Sequence, residues 1–199
     1  MIVVPAKTEA ECKRALRLAV SIVKQGGVIA YPTETVYGLG CDPRNAKALA
    51  RIFRIKGREK GKPVLLVASS VAQAKRVAEI RGAARSLAER FWPGPLTLIL
   101  PAVEKIMGRK DIAIRVSSDS MVQELCRRFR FPIVSTSANH SGETAARSAK
   151  TVIEMFGNDR VSPDLLIDAG TLPKRAASTI VRIADDGKID VVRAGAIRL

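Results

Sequence analysis

The stretch from Thr8 to Gly40, TEAECKRALRLAVSIVKQGGVIAYPTETVYGLG, decides the fold class. It opens on Thr8-Glu9-Ala10-Glu11, a pattern in which the threonine hydroxyl and the second glutamate each satisfy a backbone N–H of a helix's first turn. Cys12, Ala15, Leu16, Ala19 and Val23 then recur at helical spacing, and Gly26-Gly27 stops the helix. The apolar run Val28 to Tyr31 is too short for another helix and ends at Pro32, so it predicts a buried strand. After a polar turn, Thr35 to Leu39 resumes an extended pattern.

Outward from this stretch the same alternation continues. Ala46, Leu49, Ile52 and Phe53 share one face of a helix predicted over Asn45 to Ile55, and Pro63 to Ala68 reads as a continuous apolar strand. Helices are expected over Val71 to Ile80, Ala83 to Phe91, Ser120 to Arg128 and Ala149 to Phe156. Strands are expected over Leu96 to Leu100, Ile112 to Val116, Ile133 to Ser135, Leu165 to Ile167, Ser178 to Ile183 and Lys188 to Val192. The expected architecture is α/β, with helices flanking a mostly mixed sheet. At 199 residues and 47% apolar content, the chain is expected to form a single domain over residues 1–199.

The longest apolar stretches, such as Leu96 to Leu100, fall far short of the roughly 20 residues a membrane span needs, and Met1 to Ala10 lacks a signal-peptide pattern. A soluble, cytoplasmic protein without a membrane partner is expected. Cys12, Cys41 and Cys126 are scattered, odd in number and without CxxC pairing, which argues against a disulfide framework or a zinc knuckle and for small buried hydrophobes. The net charge of +15 attracts polyanions, and ATP and RNA are both candidates. Arg44, Lys47, Arg51, Arg54, Lys56, Arg58, Lys60 and Lys62 concentrate that charge in one stretch, which is read either as a nucleic-acid contact or as a solvated face.

The single histidine, His140, is expected in a loop, and every imidazole-dependent triad would have to pass through it. No HExxH, EF-hand or GxxxxGK[ST] pattern occurs, so no protein-held metal cage or P-loop is indicated. Two polar clusters stand out instead: Lys56-Gly57-Arg58 after a helical pattern, and Ser135-Thr136-Ser137-Ala138-Asn139 after the apolar run Phe131 to Val134. Cations with a glycine between them, together with hydroxyls and an amide at a strand end, make an anion site acting by placement and charge.

Other positions carry two readings each. Tyr31 to Gly40 places hydroxyls and glycines at a strand end, as a ligand site does and as an ordinary turn does. Arg115, the one cation in Ile112-Ala113-Ile114-Arg115-Val116, requires a polar face, a carboxylate or a ligand, and Arg193 shares that ambiguity. Ser178-Thr179 serves a site or caps a turn. Trp92 is read as packing rather than as a stacking platform, since aromatics total only 4%.

Six blocks in order carry a resemblance: Pro32 to Leu39, Lys56-Gly57-Arg58, Trp92 to Thr97, Ala113 to Val116, Ser135 to Asn139 with Ser141-Gly142, and Arg193-Ala194-Gly195-Ala196. Together, across roughly residues 20 to 197, the chain resembles the YrdC/TsaC family of threonylcarbamoyl-AMP synthases. The resemblance implies a YrdC-like fold, a twisted sheet around a basic concave pocket. It also implies a nucleotidyltransferase reaction joining L-threonine, bicarbonate and ATP into threonylcarbamoyl-AMP and pyrophosphate, for modification of tRNA by downstream transfer proteins.

On the same ground Lys56 and Arg58 would be catalytic and hold the triphosphate, with Ser137, Asn139 and Arg193 on the phosphates and nucleotide. Thr33, Arg115, Thr136 and Ser178 would bind threonine, and Mg2+ would arrive with ATP. Two departures are visible. The run Glu59-Lys60-Gly61-Lys62-Pro63-Val64 differs from the family's usual sequence, and the extra C-terminal domain of longer relatives is not expected here. The competing readings are a non-catalytic double-stranded RNA or tRNA binding module, and a carbamoyl-adenylate domain of the kind found in larger maturation enzymes.

Overall fold

The computed structural model describes residues 1–58, 64–184 and 187–199. In chain order its first elements are strand β1 (Ile2–Pro5), helix α1 (Glu9–Lys24), strands β2 (Ile29–Pro32) and β3 (Tyr37–Gly40), helix α2 (Ala46–Ile55) and strand β4 (Leu65–Ala68). Next come α3 (Val71–Ala74), α4 (Gly82–Phe91), the long pair β5 (Leu96–Ile106) and β6 (Arg109–Val116), then α5 (Ser120–Phe129) and β7 (Ile133–Ser137). The last are α6 (Ala149–Phe156), β8 (Leu165–Asp168), β9 (Thr179–Ile183) and β10 (Ile189–Arg193). Helices alternate with strands that pair both parallel and antiparallel, the α/β class with mixed pairing that the sequence predicts. Among the described residues no helix is long and apolar enough to cross a membrane.

Two compact units share these elements, Met1–Lys62 with Ile133–Lys174, and Pro63–Pro132 with Arg175–Leu199. In the first unit the strand order is β1-β8-β2-β3-β7, with β1, β8 and β2 parallel and β3 antiparallel to both its neighbours. Helix α1 begins with the expected capping box, and Ala15, Leu16, Ala19, Val20 and Val23 form its buried stripe. Strand β2 is buried along its whole length, which explains an unbroken apolar run where a half-exposed strand would alternate. Gly40 of β3 is held to glycine by crowding: a Cβ there would lie 2.8 Å from the Tyr31 ring and 3.0 Å from the Val134 carbonyl oxygen.

One carboxylate ties this unit together. Asp164 accepts the Val28 N–H at 2.8 Å and both guanidinium arms of Arg51 at 2.7 and 2.6 Å. Gly27 leaves room for it, since a Cβ there would sit 2.8 Å from Asp164 Oδ2.

In the second unit the order is β4-β6-β5-β9-β10, with β4 parallel to β6, β5 parallel to β9, and the other pairs antiparallel. Leu66, Leu96, Leu98, Ile112 and Ile114 are fully buried in its core. Strands β5 and β6 run longer than their apolar patterns predict because Met107 and Gly108, both at positive φ (56° and 71°), make the tight connection that suits a twisted hairpin.

The helix expected over Val71 to Ile80 stops at Ala74. The extension of β5 draws the following backbone away: Val103 donates to the Val77 carbonyl and Glu79 to that of Pro101, and the non-local pairing overrides the helical pattern. Strand β1 has no counterpart in the predicted pattern; it is only four residues long, with Ile2 and Val3 exposed, and its alignment on β8 supplies the pairing. The atypical Glu59 to Pro63 run lies outside the described residues.

Burial alone would raise the Asp164 carboxyl, but the bonds from Arg51, the Val28 N–H and the Arg51 charge outweigh it and hold the carboxyl below its ordinary value. Its contribution to stability is therefore present above the unfolded pKa and lost as pH falls through the lowered native one. Asp164→Asn is expected to cost about 1–2 kcal/mol at pH 7, a modest figure because the pair is partly solvated. Urea unfolding should show that difference shrinking in acid; a pH-independent difference would contradict the assignment.

Candidate functional site

The Lys56-Gly57-Arg58 cluster is the end of helix α2. Gly57 takes φ +57°, its N–H reaches the Arg54 carbonyl, and the Arg58 N–H reaches that of Phe53 at 2.9 Å. This is the left-handed helix cap that glycine makes accessible, and it sends the two flanking cations in different directions. Lys56 is only 3% exposed, while Arg58 is half-buried.

Lys56 Nζ donates to the Ser137 carbonyl at 2.5 Å, the Asn139 carbonyl at 2.9 Å and Asn139 Oδ1 at 3.0 Å. Three acceptors use all three ammonium protons. The amide of Asn139 is equally committed: Oδ1 also accepts from Ser137 Oγ at 2.6 Å, and Nδ2 donates to the carbonyls of His140 and Glu143. Ser141 N–H closes the ring on the Lys56 carbonyl at 2.8 Å. The two clusters read separately from the sequence thus form one network, in which Lys56 is the staple of the 137–141 segment. Among the described residues the Arg58 guanidinium takes no part in this network. Burial, reinforced by the charge of Arg58, pushes the Lys56 ammonium down to about 8.

Around this network the first unit is tied tightly. Tyr31 donates its hydroxyl proton to Ser135 Oγ at 2.8 Å. Thr33, 5% exposed, donates to the Val36 carbonyl at 2.6 Å and accepts the N–H groups of Thr35 and Val36 at 3.3 and 3.4 Å. The Thr33 hydroxyl proton therefore serves its own turn. Thr136 stands half-buried in β7 opposite Leu39. His140, in a loop, packs edge-on against Phe156 with 5.1 Å between ring centroids and places Nε2 3.5 Å from Asp159 Oδ2. Among the cysteines, Cys41 and Cys126 are buried, and burial followed by the Asp42 charge pushes the Cys41 thiol up to about 12, a poor nucleophile.

The second unit carries a cluster of its own. Arg115 stands on β6 at 4% exposure, and Arg193 ends β10. Arg193 donates through Nε and Nη2 to the Ser178 carbonyl, at 3.2 and 2.7 Å, and through Nη2 to Ser178 Oγ at 3.0 Å. Burial, then the nearby charge of Arg115, lowers the Arg193 pKa, so the two cations lie within electrostatic reach of each other. Ser178 Oγ lies 3.0 Å from Thr97 Oγ1. Gly195 lets the C-terminal segment lie against this strand start, since a Cβ would fall 2.3 Å from the Ala177 carbonyl oxygen. Trp92 is buried and donates to the Leu96 carbonyl at 2.7 Å, so it packs rather than offering a stacking face.

The structure thus joins Lys56, Ser137 and Asn139 in the first unit, and Arg115, Ser178 and Arg193 in the second. Two contributors, Thr97 and Gly195, belong to the quoted sequence blocks but carry no role of their own there. The signal for Thr97 was its hydroxyl inside the apolar run Leu96 to Leu100. Among the described residues no group of three or more His, Cys, Asp or Glu side chains is placed to hold a metal ion.

Removal of the staple is expected to loosen the 137–141 segment without dismantling the fold. Lys56→Ala should raise amide hydrogen exchange at residues 137–141 about tenfold or more, as for loss of charge-assisted hydrogen bonds, while Arg58→Ala should leave it near wild type. Raising the pH through about 8 should mimic Lys56→Ala locally, because the neutral amine has one donor fewer. Since the folded amine holds its proton less tightly than the unfolded one, global stability gains from this group as pH rises above 8 towards the ordinary 10.5, which separates local loosening from unfolding.

A family model, Sua5_yciO_yrdC, described as "Telomere recombination", matches residues 21–195. A threonylcarbamoyl-AMP synthase of Thiobacillus denitrificans is 42% identical over 173 residues, 84% of this chain and 89% of that protein. The structure of P. abyssi Sua5 complexed with L-threonine superposes with a TM-score of 0.84 at 33% identity, covering 98% of this chain and 57% of that one. This chain therefore spans somewhat over half the length of that Sua5. E. coli YciO matches with a TM-score of 0.83 at 28% identity, over 98% of this chain and 94% of its own. With a family match across most of its length and close relatives on both measures, the chain belongs to the Sua5/YciO/YrdC family.

Proposed function

We propose that this chain is a threonylcarbamoyl-AMP synthase, an enzyme that converts L-threonine, bicarbonate and ATP into threonylcarbamoyl-AMP, pyrophosphate and water. The observation that carries the reading is its 42% identity to a threonylcarbamoyl-AMP synthase over most of both chains. The electrostatics agree with it. Burial and then the charge of Arg115 lower the Arg193 pKa, and an anionic ligand beside Arg193 relieves that repulsion.

In the proposed reaction the threonine amine and bicarbonate form a carbamate with loss of water. A carbamate oxygen attacks the α-phosphorus of ATP, and the bond to the β,γ-diphosphate breaks to release pyrophosphate. The nucleophile belongs to the substrate, so the protein's work is to orient reactants and neutralise charge. No step needs a histidine base, in keeping with a His140 that packs on Phe156.

Arg58 is assigned to the triphosphate, with Lys56, Ser137 and Asn139 as the platform that shapes the adjoining backbone. Arg115 and Ser178 are assigned to the threonine carboxylate, a bidentate partner for a guanidinium, and Arg193 to the nucleotide. Thr33 and Thr136 are assigned to the threonine side, Thr33 through the turn it holds. Magnesium is assigned to the ATP phosphates, because the described residues offer no carboxylate cluster to carry it. The adenylate would be consumed by proteins that modify tRNA in the cytoplasm.

Pyrophosphate release is expected to require threonine and bicarbonate together, with labelled bicarbonate appearing in a threonylcarbamoyl adenylate by mass spectrometry. Arg115→Ala should lower kcat/KM for threonine about 100-fold, the loss of a charge-assisted bidentate pair. ATP turnover that ignores threonine, with tight salt-dependent binding to duplex RNA, would favour the RNA-binding module suggested by the +15 charge.

We also propose that residues 1–199 act as one domain, because the chain passes between the two units three times, after residues 62, 132 and 174. A single urea transition, coincident by fluorescence and circular dichroism, is expected; two separated transitions would refute it.

A further inference from the structure

Thr97 lies in β5 between Leu96 and Leu98, and none of it is exposed. A hydroxyl in such surroundings costs free energy unless it is hydrogen bonded, and valine would fill the same volume without that cost. Its partner is Ser178 Oγ at 3.0 Å, in a contact where either oxygen can be the donor. The neighbours decide which. Were Ser178 to donate, the Thr97 proton would be buried with no acceptor, because the Thr97 hydroxyl makes no other hydrogen bond among the described residues. With Thr97 as the donor, the fully buried hydroxyl is satisfied, Ser178 Oγ accepts from Thr97 on one lone pair and from Arg193 Nη2 on the other, and the one proton still to be placed is that of Ser178. That leaves the Ser178 proton without an acceptor among the described residues, beside the Arg193 guanidinium and near the charge of Arg115. A donor among cations matches an anionic oxygen.

We propose that Thr97 is a positioning residue, fixing the Ser178 hydroxyl so that its proton is donated to a carboxylate oxygen of bound L-threonine. The identity of that ligand rests on the synthase reading above. Backbone pairing keeps the two hydroxyls in register, with Thr97 opposite Ile180 and Leu96 opposite Thr179 along β5 and β9, and the Thr179 N–H bonded to the Pro95 carbonyl at 3.0 Å.

The test is L-threonine binding to the full chain by titration calorimetry, run beside the adenylate assay. Thr97→Val is expected to weaken threonine binding about tenfold, the size of one lost hydrogen bond to a charged group, with ATP affinity changed less than about twofold. Thr97→Ser should restore binding, and Thr97→Val combined with Ser178→Ala should bind no worse than Ser178→Ala alone, because both act on one bond. Thr97→Ala provides the same deletion should the valine variant fail to fold. Wild-type threonine affinity in the folded hydroxyl-less variant, no rescue by serine, additive losses in the double variant, or a loss confined to ATP would each overturn the proposal. A wild type that binds threonine without forming the adenylate would overturn the synthase reading alone, whereas a wild type that does not bind threonine would overturn both.

Discussion

A buried ammonium must find an oxygen for each of its protons, and Lys56 finds all three within Ser137 and Asn139. Much of the first unit's polar architecture follows from that requirement. The carbonyls have to converge, so the chain turns sharply after β7; the Asn139 amide has to present its oxygen inward, so its nitrogen is held outward by the His140 and Glu143 carbonyls. Helix α2 has to end where Lys56 can enter, and the Gly57 cap provides that end while releasing Arg58 from the network. An isolated charge in such a place would be costly. With three acceptors the cost becomes a constraint that leaves the segment few alternatives.

The second unit solves a related problem with hydroxyls. Arg193 is partly desolvated and lies near another cation, and Ser178 meets it with two oxygens, the carbonyl and Oγ. Ser178 in turn depends on a neighbour one strand away, Thr97 of β5, whose hydroxyl is affordable only because Ser178 receives it. In both units one polar side chain of the candidate site is held by another, Asn139 by Lys56 and Ser178 by Thr97, so geometry is set before a substrate arrives. Preorganisation of that kind suits a reaction whose nucleophile comes from the substrate.

Much of this architecture was legible from residues alone. The capping box at Thr8, the α1 stripe, the buried run of β2 and the helix ending at Ile55 are local patterns, each governed by neighbours a few positions away. The two polar clusters stood out as a candidate site because cations, hydroxyls and an amide are unusual beside apolar runs, whereas their bonds to one another were not legible. Less legible were elements governed by distant partners. Val77 and Glu79 sit in a helical pattern yet pair with the β5 extension, and β1 has no periodicity to announce it and forms on β8. Thr97 reads in the sequence as one polar residue in a strand, and its partner Ser178 is 81 positions away.

By itself, the sequence determined the α/β class, most element positions, the surplus of cations and the residue types available to a site, because those depend on periodicity, capping and composition. Only the tertiary structure decided how those residues are used. Lys56 and Arg58, two positions apart and chemically alike, separate into a buried staple and a cation left outside it, because the left-handed turn at Gly57 directs one inward to three oxygens. The Thr33 hydroxyl proton is spent on its own turn, and the Ser178 hydroxyl is set between Thr97 and Arg193, because the atoms within reach settle which bonds a hydroxyl can make.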